Sequence, residues 1–179
     1  MSSYRIVTRI FIPGLAMLMS ACLASPDYSY AKSRAHGGAK SRGGGTHLYV
    51  LLGLNNASPG LAELGARMAR RGIPTTVANH SEWSGLAQQA IEQYKSGRLR
   101  SIEIVGHSLG GDAAVSMAAA LGQAGVPVRL VVTLDPTGGS GVTWNVRRAV
   151  NVVPRNGEDH FSMIAARERD ITSYVVGSR

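Results

Sequence analysis

The chain has 179 residues, which is enough for one domain of ordinary size. Hydrophobic residues make up 44% of the sequence and charged residues 17%, a composition typical of globular proteins and not of disordered ones. The formal net charge of +8 is unevenly spread, because residues 1–45 contain six of the nineteen basic residues and one of the eleven acidic residues. The remainder shows no basic face with interleaved aromatic residues, so the sequence argues against nucleic-acid binding.

Residues 1–24 have the pattern of a bacterial export signal. Arg5 and Arg9 precede an apolar stretch over residues 10–21, which is too short to span a bilayer and has the length of a signal-peptide core. Two forms of processing stay open. The run Met19-Ser20-Ala21-Cys22 resembles a lipobox, whose cysteine is lipidated, and the sequences ending at residues 24 and 31 suit ordinary signal-peptidase cleavage.

We therefore expect an exported protein that is periplasmic, secreted or tethered to a membrane through Cys22. Cys22 is the one cysteine of the chain, so no disulfide within the chain can stabilise the fold. Residues 25–45 contain several basic residues and a run of three glycines, a composition that predicts a flexible basic linker.

Alternating strand and helix patterns occupy residues 46–179. Short continuous apolar runs predict strands over residues 47–52, 73–78, 101–105, 128–134 and 147–153. Apolar residues at helical spacing predict helices over residues 59–71, 84–96, 109–124 and 161–176. This order predicts an α/β fold, namely a three-layer sandwich with a mostly parallel sheet of about five strands and helices on both faces.

One connection in this scheme is short. Residues 136–146 join the fourth and fifth predicted strands, whereas a parallel crossover normally needs a dozen residues or more. Either the connection is unusually tight or the last strand is misplaced. Because ligands of such sheets bind beyond the carboxyl ends of the strands, the residues after each strand are the candidates for a site.

The third predicted strand ends in Gly106-His107-Ser108-Leu109-Gly110. A G-x-S-x-G pattern alone is weak evidence, but here it follows a strand and opens a helix, which is the setting that a nucleophilic serine requires. Serine on such a tight turn has a strained backbone, and glycines two residues before and after it avoid collisions. The helix N-terminus and the Leu109 N–H are placed to stabilise negative charge above Ser108.

A serine hydroxyl needs a base, and the base needs an orienting acid. His160 lies beyond the last predicted strand, where the other histidines of the chain do not. Asp135 directly follows the fourth predicted strand and is the preferred acid, with Asp159 and Glu158 as alternatives. The chain order of serine, acid and histidine is that of α/β-hydrolases and not that of the trypsin or subtilisin types.

At these residues the chain resembles the α/β-hydrolase superfamily over roughly residues 46–176. The run from Gly106 to Gly111 resembles the elbow of lipases and esterases, and Asp135 resembles the lipase acid that follows the strand after the elbow strand. The resemblance implies a second oxyanion donor after the first core strand, at Leu54 or Asn55. The early antiparallel strands of full-length members are missing from this chain.

The resemblance implies a small-molecule ester or thioester as substrate, cleaved through an acyl-enzyme on Ser108. A thioesterase or an acyltransferase uses the same machinery, and a non-catalytic envelope protein that keeps the fold is the alternative from another class. No metal or organic cofactor is implied, because the sequence shows no cluster with ligand spacing. None of the loops is long enough for a helical lid, and Trp83 and Trp144 are candidates for an apolar wall of the site.

The processing of Cys22 can be tested by mass spectrometry of the protein purified from a bacterial host. A lipoprotein carries a diacylglyceryl group on Cys22 and partitions into detergent, and Cys22→Ala abolishes both properties. A soluble product that begins after residue 24 or residue 31 excludes lipidation and shows ordinary cleavage.

Overall fold

Five strands form one sheet in the part of the chain that the computed structural model describes, residues 45–139 and 141–179. They are β1 (Gly45–Leu52), β2 (Thr75–Asn79), β3 (Leu99–His107), β4 (Leu130–Leu134) and β5 (Ala149–Val152). Their order across the sheet is β2-β1-β3-β4-β5, and every neighbouring pair is parallel. The expected α/β fold with a five-stranded parallel sheet is confirmed. The predicted export signal and nearly all of the predicted linker lie outside the described residues.

The helices are α1 (Leu61–Arg70), α2 (Trp83–Lys95), α3 (Leu109–Gln123), α4 (Ser162–Ala166) and α5 (Glu168–Gly177). The single helix predicted over residues 161–176 is wrong, because the backbone at Arg167 (φ −101°, ψ 8°) leaves the helical region and separates α4 from α5. The Arg167 guanidinium binds the Glu158 carboxylate, 2.8 Å away, and apolar spacing gives no sign of this contact. Within the described ranges no helix is both long enough and apolar enough to cross a membrane.

The sheet is covered on both faces. Alternate residues of β1 point to opposite sides, so Leu48 and Val50 join one core with α1, α4 and α5, while Tyr49 and Leu51 join another with α2 and α3. Both cores consist mostly of buried aliphatic side chains. The central strands β1, β3 and β4 are therefore buried on both faces over most of their length, which explains their continuous apolar runs, whereas the edge strands β2 and β5 are only partly buried.

The short connection between β4 and β5 is a tight crossover, and the last strand is not misplaced. Residues 135–148 return to the amino end of the sheet with no helix among their described residues, and Val131 pairs with Ala149. The buried Asn145 amide donates to the carbonyls of Ala118 (3.0 Å) and Val126 (3.1 Å), which fastens the crossover to α3. The crossover is thus held in place by side-chain hydrogen bonds where a longer connection would pack a helix on the sheet.

One buried carboxyl lies in the middle of the sheet. Glu103 of β3 is fully buried between Leu48 of β1 and Leu130 of β4 in the sheet register. One carboxyl oxygen accepts a 2.6 Å hydrogen bond from the Ser178 hydroxyl, and the other has no hydrogen-bond partner. Burial raises the pKa of Glu103, and the Ser178 hydrogen bond and the charge of Arg179 only partly oppose this effect.

Glu103 makes stability depend on pH in a definite direction. Because its pKa is raised in the folded state, the folded protein keeps a proton that the unfolded chain has already lost. The contribution of Glu103 to stability is therefore largest below the ordinary glutamate pKa of about 4.3 and decreases as the pH rises above it. Urea unfolding of wild type and Glu103→Gln should show wild type losing stability relative to the variant between about pH 4 and about pH 7.

Glu92→Gln is the matched control, because Glu92 lies exposed on α2. It should leave the difference from wild type constant over the same pH range. If Glu103→Gln also gives a constant difference, Glu103 does not ionise differently in the folded and unfolded states.

Candidate active site

Ser108 sits on the turn between β3 and α3 with a backbone that few L-residues adopt (φ 57°, ψ −127°). A Cβ at Gly106 would lie 1.9 Å from the carbonyl oxygen of Gly110, and a Cβ at Gly110 would lie 2.1 Å from the carbonyl oxygen of Leu51. Only glycine is therefore accommodated at either position. This close approach fixes the Ser108 side chain at the carboxyl end of the sheet, where ligands of parallel sheets bind.

The turn is attached to the neighbouring strand. The Ser108 N–H donates to the carbonyl of Leu134 (2.9 Å), the last residue of β4. The next residue, Asp135, has a left-handed backbone (φ 44°), and its N–H donates to the carbonyl of Val152 (2.8 Å) at the end of β5. Aspartate tolerates this conformation better than most residues. The backbone thus places Asp135 next to the serine turn.

His160 and Asp135 form a hydrogen-bonded pair. Asp135 follows β4 and His160 follows β5, and these adjacent parallel strands end at the same edge of the sheet. The distance from His160 Nδ1 to Asp135 Oδ2 is 2.6 Å. Because the carboxylate accepts, Nδ1 carries the proton, and Nε2 is left as the acceptor that a general base requires.

No hydrogen bond joins Ser108 to His160 among the described residues. The ring of His107, the residue before Ser108, lies 4.5 Å from the His160 ring between centroids. Bonds between a nucleophile and its base are often long before substrate binds. The structure therefore pairs Asp135 with His160 and places Ser108 at the end of β3, the strand next to β4, and the catalytic roles of the three residues stay a prediction.

The two alternative acids are engaged elsewhere. One Asp159 carboxyl oxygen accepts from the N–H groups of Phe161 (2.7 Å) and Ser162 (2.8 Å). The hydrogen bonds with Ser162 and Phe161 lower the pKa of Asp159. Glu158 accepts from the Arg155 N–H (2.9 Å) and binds Arg167. Of the three carboxyl groups that the sequence leaves open, Asp135 is the one that contacts the His160 ring.

The predicted oxyanion donors border Ser108 on two sides. Leu109 is the first residue of α3, and its N–H has no acceptor among the described residues. Gly53 lies against the serine, since a Cβ at Gly53 would be 3.3 Å from Ser108 Cβ. Leu54 and Asn55 follow Gly53, and neither N–H has an acceptor in the described ranges. Both remain candidates for the second donor.

Sequence reasoning set His107 aside and missed Ser58, although both are part of the site. His107 is fully buried, with Nδ1 2.9 Å from Ser58 Oγ and Nε2 2.8 Å from the His160 carbonyl oxygen. Ser58 Oγ also accepts from the Gly53 N–H (2.9 Å). The one signal in the sequence is the place of His107 at the buried end of β3, because a polar residue there needs partners.

An open groove of about 500 Å³ begins beside His160. It lies between the start of α1 and the start of α4, and its lining is mostly apolar. The lining residues are Pro59, Gly60, Asp159, Phe161, Ser162 and Ala165. The Phe161 ring meets the His160 ring edge-on, 5.0 Å between centroids, and is about half exposed. The groove therefore adjoins the base of the candidate site.

Trp144, one of the two candidates for an apolar wall, lies away from the site. Trp144 is 83% exposed and lies two residues before Val146, which pairs with Val128 at the amino end of β4. This is the end of the sheet opposite to Ser108. Trp83 begins α2 and packs against the core of α2 and α3. Packing against this core therefore explains the presence of a tryptophan at position 83.

Within residues 45–139 and 141–179, no group of three or more histidine, cysteine or carboxylate side chains is placed to hold a metal ion.

No protein-family model matches the chain, and no curated protein matches it. One solved structure with partial similarity is the type II thioesterase BorB from the borrelidin biosynthetic cluster, with a TM-score of 0.36 and 16% identity. The match covers 55% of this chain and 49% of that protein, so the chain spans about half the length of that thioesterase. A likeness at this level does not assign the chain to a family.

Proposed function

We propose that this chain is a serine hydrolase that cleaves carboxylic esters or thioesters through an acyl-enzyme on Ser108. The observation that carries the proposal is the His160–Asp135 hydrogen bond of 2.6 Å beside the strained turn that bears Ser108. A nucleophile, a base and an orienting acid within one edge of a sheet are the parts that acyl transfer requires. The export signal predicted over residues 1–24 adds that this activity takes place outside the cytoplasm.

In the first step His160 Nε2 takes the proton of the Ser108 hydroxyl as the oxygen attacks the carbonyl carbon of the substrate. The Asp135 carboxylate holds the Nδ1 proton and stabilises the imidazolium that forms. This arrangement needs no change of tautomer, because the observed hydrogen bond already leaves Nε2 as the acceptor.

The negative charge that develops on the substrate oxygen is stabilised by backbone donors. The Leu109 N–H lies at the N-terminus of α3, where the helix dipole also favours negative charge. The second donor is the N–H of Leu54 or Asn55, in the turn that follows Gly53. Donors fixed by backbone geometry require no reorganisation during the reaction.

The imidazolium then gives its proton to the departing alcohol or thiol, and the acyl group stays on Ser108. Water attacks the acyl carbonyl while His160 again accepts a proton, and the carboxylic acid is released with Ser108 restored. Acyl transfer to an alcohol or amine follows the same steps with that group in place of water.

The surroundings of the site favour an apolar substrate. Leu54, which follows Gly53, is 58% exposed, and the half-exposed Phe161 borders the groove beside His160. Exposed apolar side chains around a site are typical of ligand-binding surfaces. All five helices of the described residues contribute buried residues to the two cores, which favours a site without a helical lid.

The central test is labelling with a fluorophosphonate probe and hydrolysis of p-nitrophenyl esters. Wild type should gain one probe on Ser108 and turn over the ester, and Ser108→Ala should lose both properties while unfolding like wild type. Ser96→Ala is the control, because Ser96 is exposed at the end of α2. Wild-type turnover by Ser108→Ala would exclude the mechanism, and a wild type that is neither labelled nor active would favour a non-catalytic role.

The identity of the acid is tested by comparing Asp135→Asn with Asp159→Asn. An amide at position 135 does not stabilise the imidazolium and favours the wrong tautomer, so kcat should fall by about 10⁴. The amide oxygen introduced by Asp159→Asn would still accept hydrogen bonds at the start of α4, so this variant should change kcat little. The opposite ranking of the two variants, measured as kcat, would assign the acid to Asp159.

A further inference from the structure

A buried histidine outside the proposed triad connects two parts of the site. His107 is the last residue of β3 and has no exposed surface. Its Nε2 lies 2.8 Å from the carbonyl oxygen of His160, and its Nδ1 lies 2.9 Å from Ser58 Oγ. Ser58 Oγ in turn lies 2.9 Å from the Gly53 nitrogen.

The partners fix the position of every hydrogen in this chain of contacts. A carbonyl oxygen can only accept, so His107 Nε2 carries the proton and donates to His160. In a neutral ring Nδ1 is then the acceptor, so the Ser58 hydroxyl donates to it. The Ser58 oxygen remains free to accept from the Gly53 N–H. Each donor in the network therefore has one acceptor, and each nitrogen of the His107 ring has a partner.

The surroundings favour the neutral ring. Burial lowers the pKa of His107, and the nearby His160 acts in the same direction. The His160 carbonyl and the Asp135 charge act in the opposite direction. A proton on Nδ1 would also turn the Ser58 hydroxyl away from its one acceptor in this network. A neutral His107 avoids placing a second positive ring beside the imidazolium of His160.

The three hydrogen bonds cross the site from one side to the other. They begin at Gly53, which touches Ser108 and precedes the candidate oxyanion donors, and they end at the backbone of the base itself. The two ends of this network are far apart in the sequence, because Gly53 follows β1 and His160 comes after β5. Apolar contact in this region is non-directional and does not fix such a spacing.

We infer that His107, as the neutral Nε2–H tautomer, is a positioning residue that holds the His160 backbone at a fixed distance from the Gly53–Asn55 turn. The inference rests on the proposed function of Ser108. It assigns to His107 no contact with substrate and no proton transfer. Its effect is to keep His160 and the second oxyanion donor in fixed positions relative to Ser108.

Two substitutions distinguish the contribution of His107 Nε2 from that of His107 Nδ1. His107→Gln places an amide N–H near the position of Nε2 and keeps a donor for the His160 carbonyl, whereas His107→Asn places its polar atoms near Nδ1 and does not reach that carbonyl. The kcat of His107→Asn should fall by about 10²-fold, the cost of a displacement of about 1 Å in a catalytic group. His107→Gln should recover most of this loss, and KM should stay near the wild-type value in both variants.

Ser58→Ala provides a smaller change at the other end of the network, in case His107→Asn does not fold. It removes the acceptor of the Gly53 N–H and the donor to His107 Nδ1. Its kcat should also fall, and the combined Ser58→Ala and His107→Asn variant should lose less than the product of the two separate losses, because both break one network. His47→Gln is the histidine control, since His47 binds Thr76 near the amino end of β1.

Rates are expressed per active site, counted by fluorophosphonate labelling of Ser108. A purely structural role lowers the labelled fraction and leaves kcat per labelled site unchanged, which would overturn the inference. A wild type without labelling overturns the proposed function instead, so the two failures are distinct. Nitrogen-15 NMR of the histidine rings gives a readout without activity: the neutral Nε2–H form of His107 at about pH 7 supports the inference, and the Nδ1–H or charged form overturns it.

Discussion

The close approach of three backbone segments determines the geometry of the site. Because Gly106 and Gly110 have no side chains, β1, β3 and the first turn of α3 come within contact distance of one another, and no space is left for a Cβ at either position. The cost is the left-handed backbone of Ser108, a strained conformation that the surrounding sheet and helix maintain. In return, the serine, the free Leu109 N–H and the Gly53 turn occupy one small region without any further element.

The crossover between β4 and β5 makes the contact between Asp135 and His160 possible. Asp135 and His160 meet because their strands are adjacent and parallel, which requires the chain to return to the amino end of the sheet in residues 135–148. Asp112 of α3 accepts hydrogen bonds from Thr137 and from the Gly138 N–H at one end of this segment, and Asn145 binds α3 at the other. Helix α3 therefore supports both Ser108 and the segment that leads from Asp135 back to the start of β5.

The sequence was sufficient for those features that depend on local pattern. Strands and helices followed from apolar periodicity, and the turn at Ser108 followed from its two glycines. The break at Arg167, the position of Trp144 and the choice among three carboxyl groups depend on contacts between residues distant in the chain. The His107–Ser58 network was missed for the same reason, since its partners come from three loops or strand ends. A local motif identifies a candidate functional residue, whereas only the folded structure shows which contacts position it.

Two buried polar residues of β3 attach the segment that carries His160. Glu103 and His107 are four residues apart, so they lie on the same face of the sheet, beneath residues 153–179. His107 holds the His160 carbonyl at one end of this segment, and Glu103 holds the Ser178 hydroxyl at the other. Between them, buried residues such as Ile164 and Ile171 supply apolar contact, which favours burial but not one register. Hydrogen bonds with fixed partners and angles supply that register, so the position of His160 depends on polar groups placed inside an otherwise apolar core.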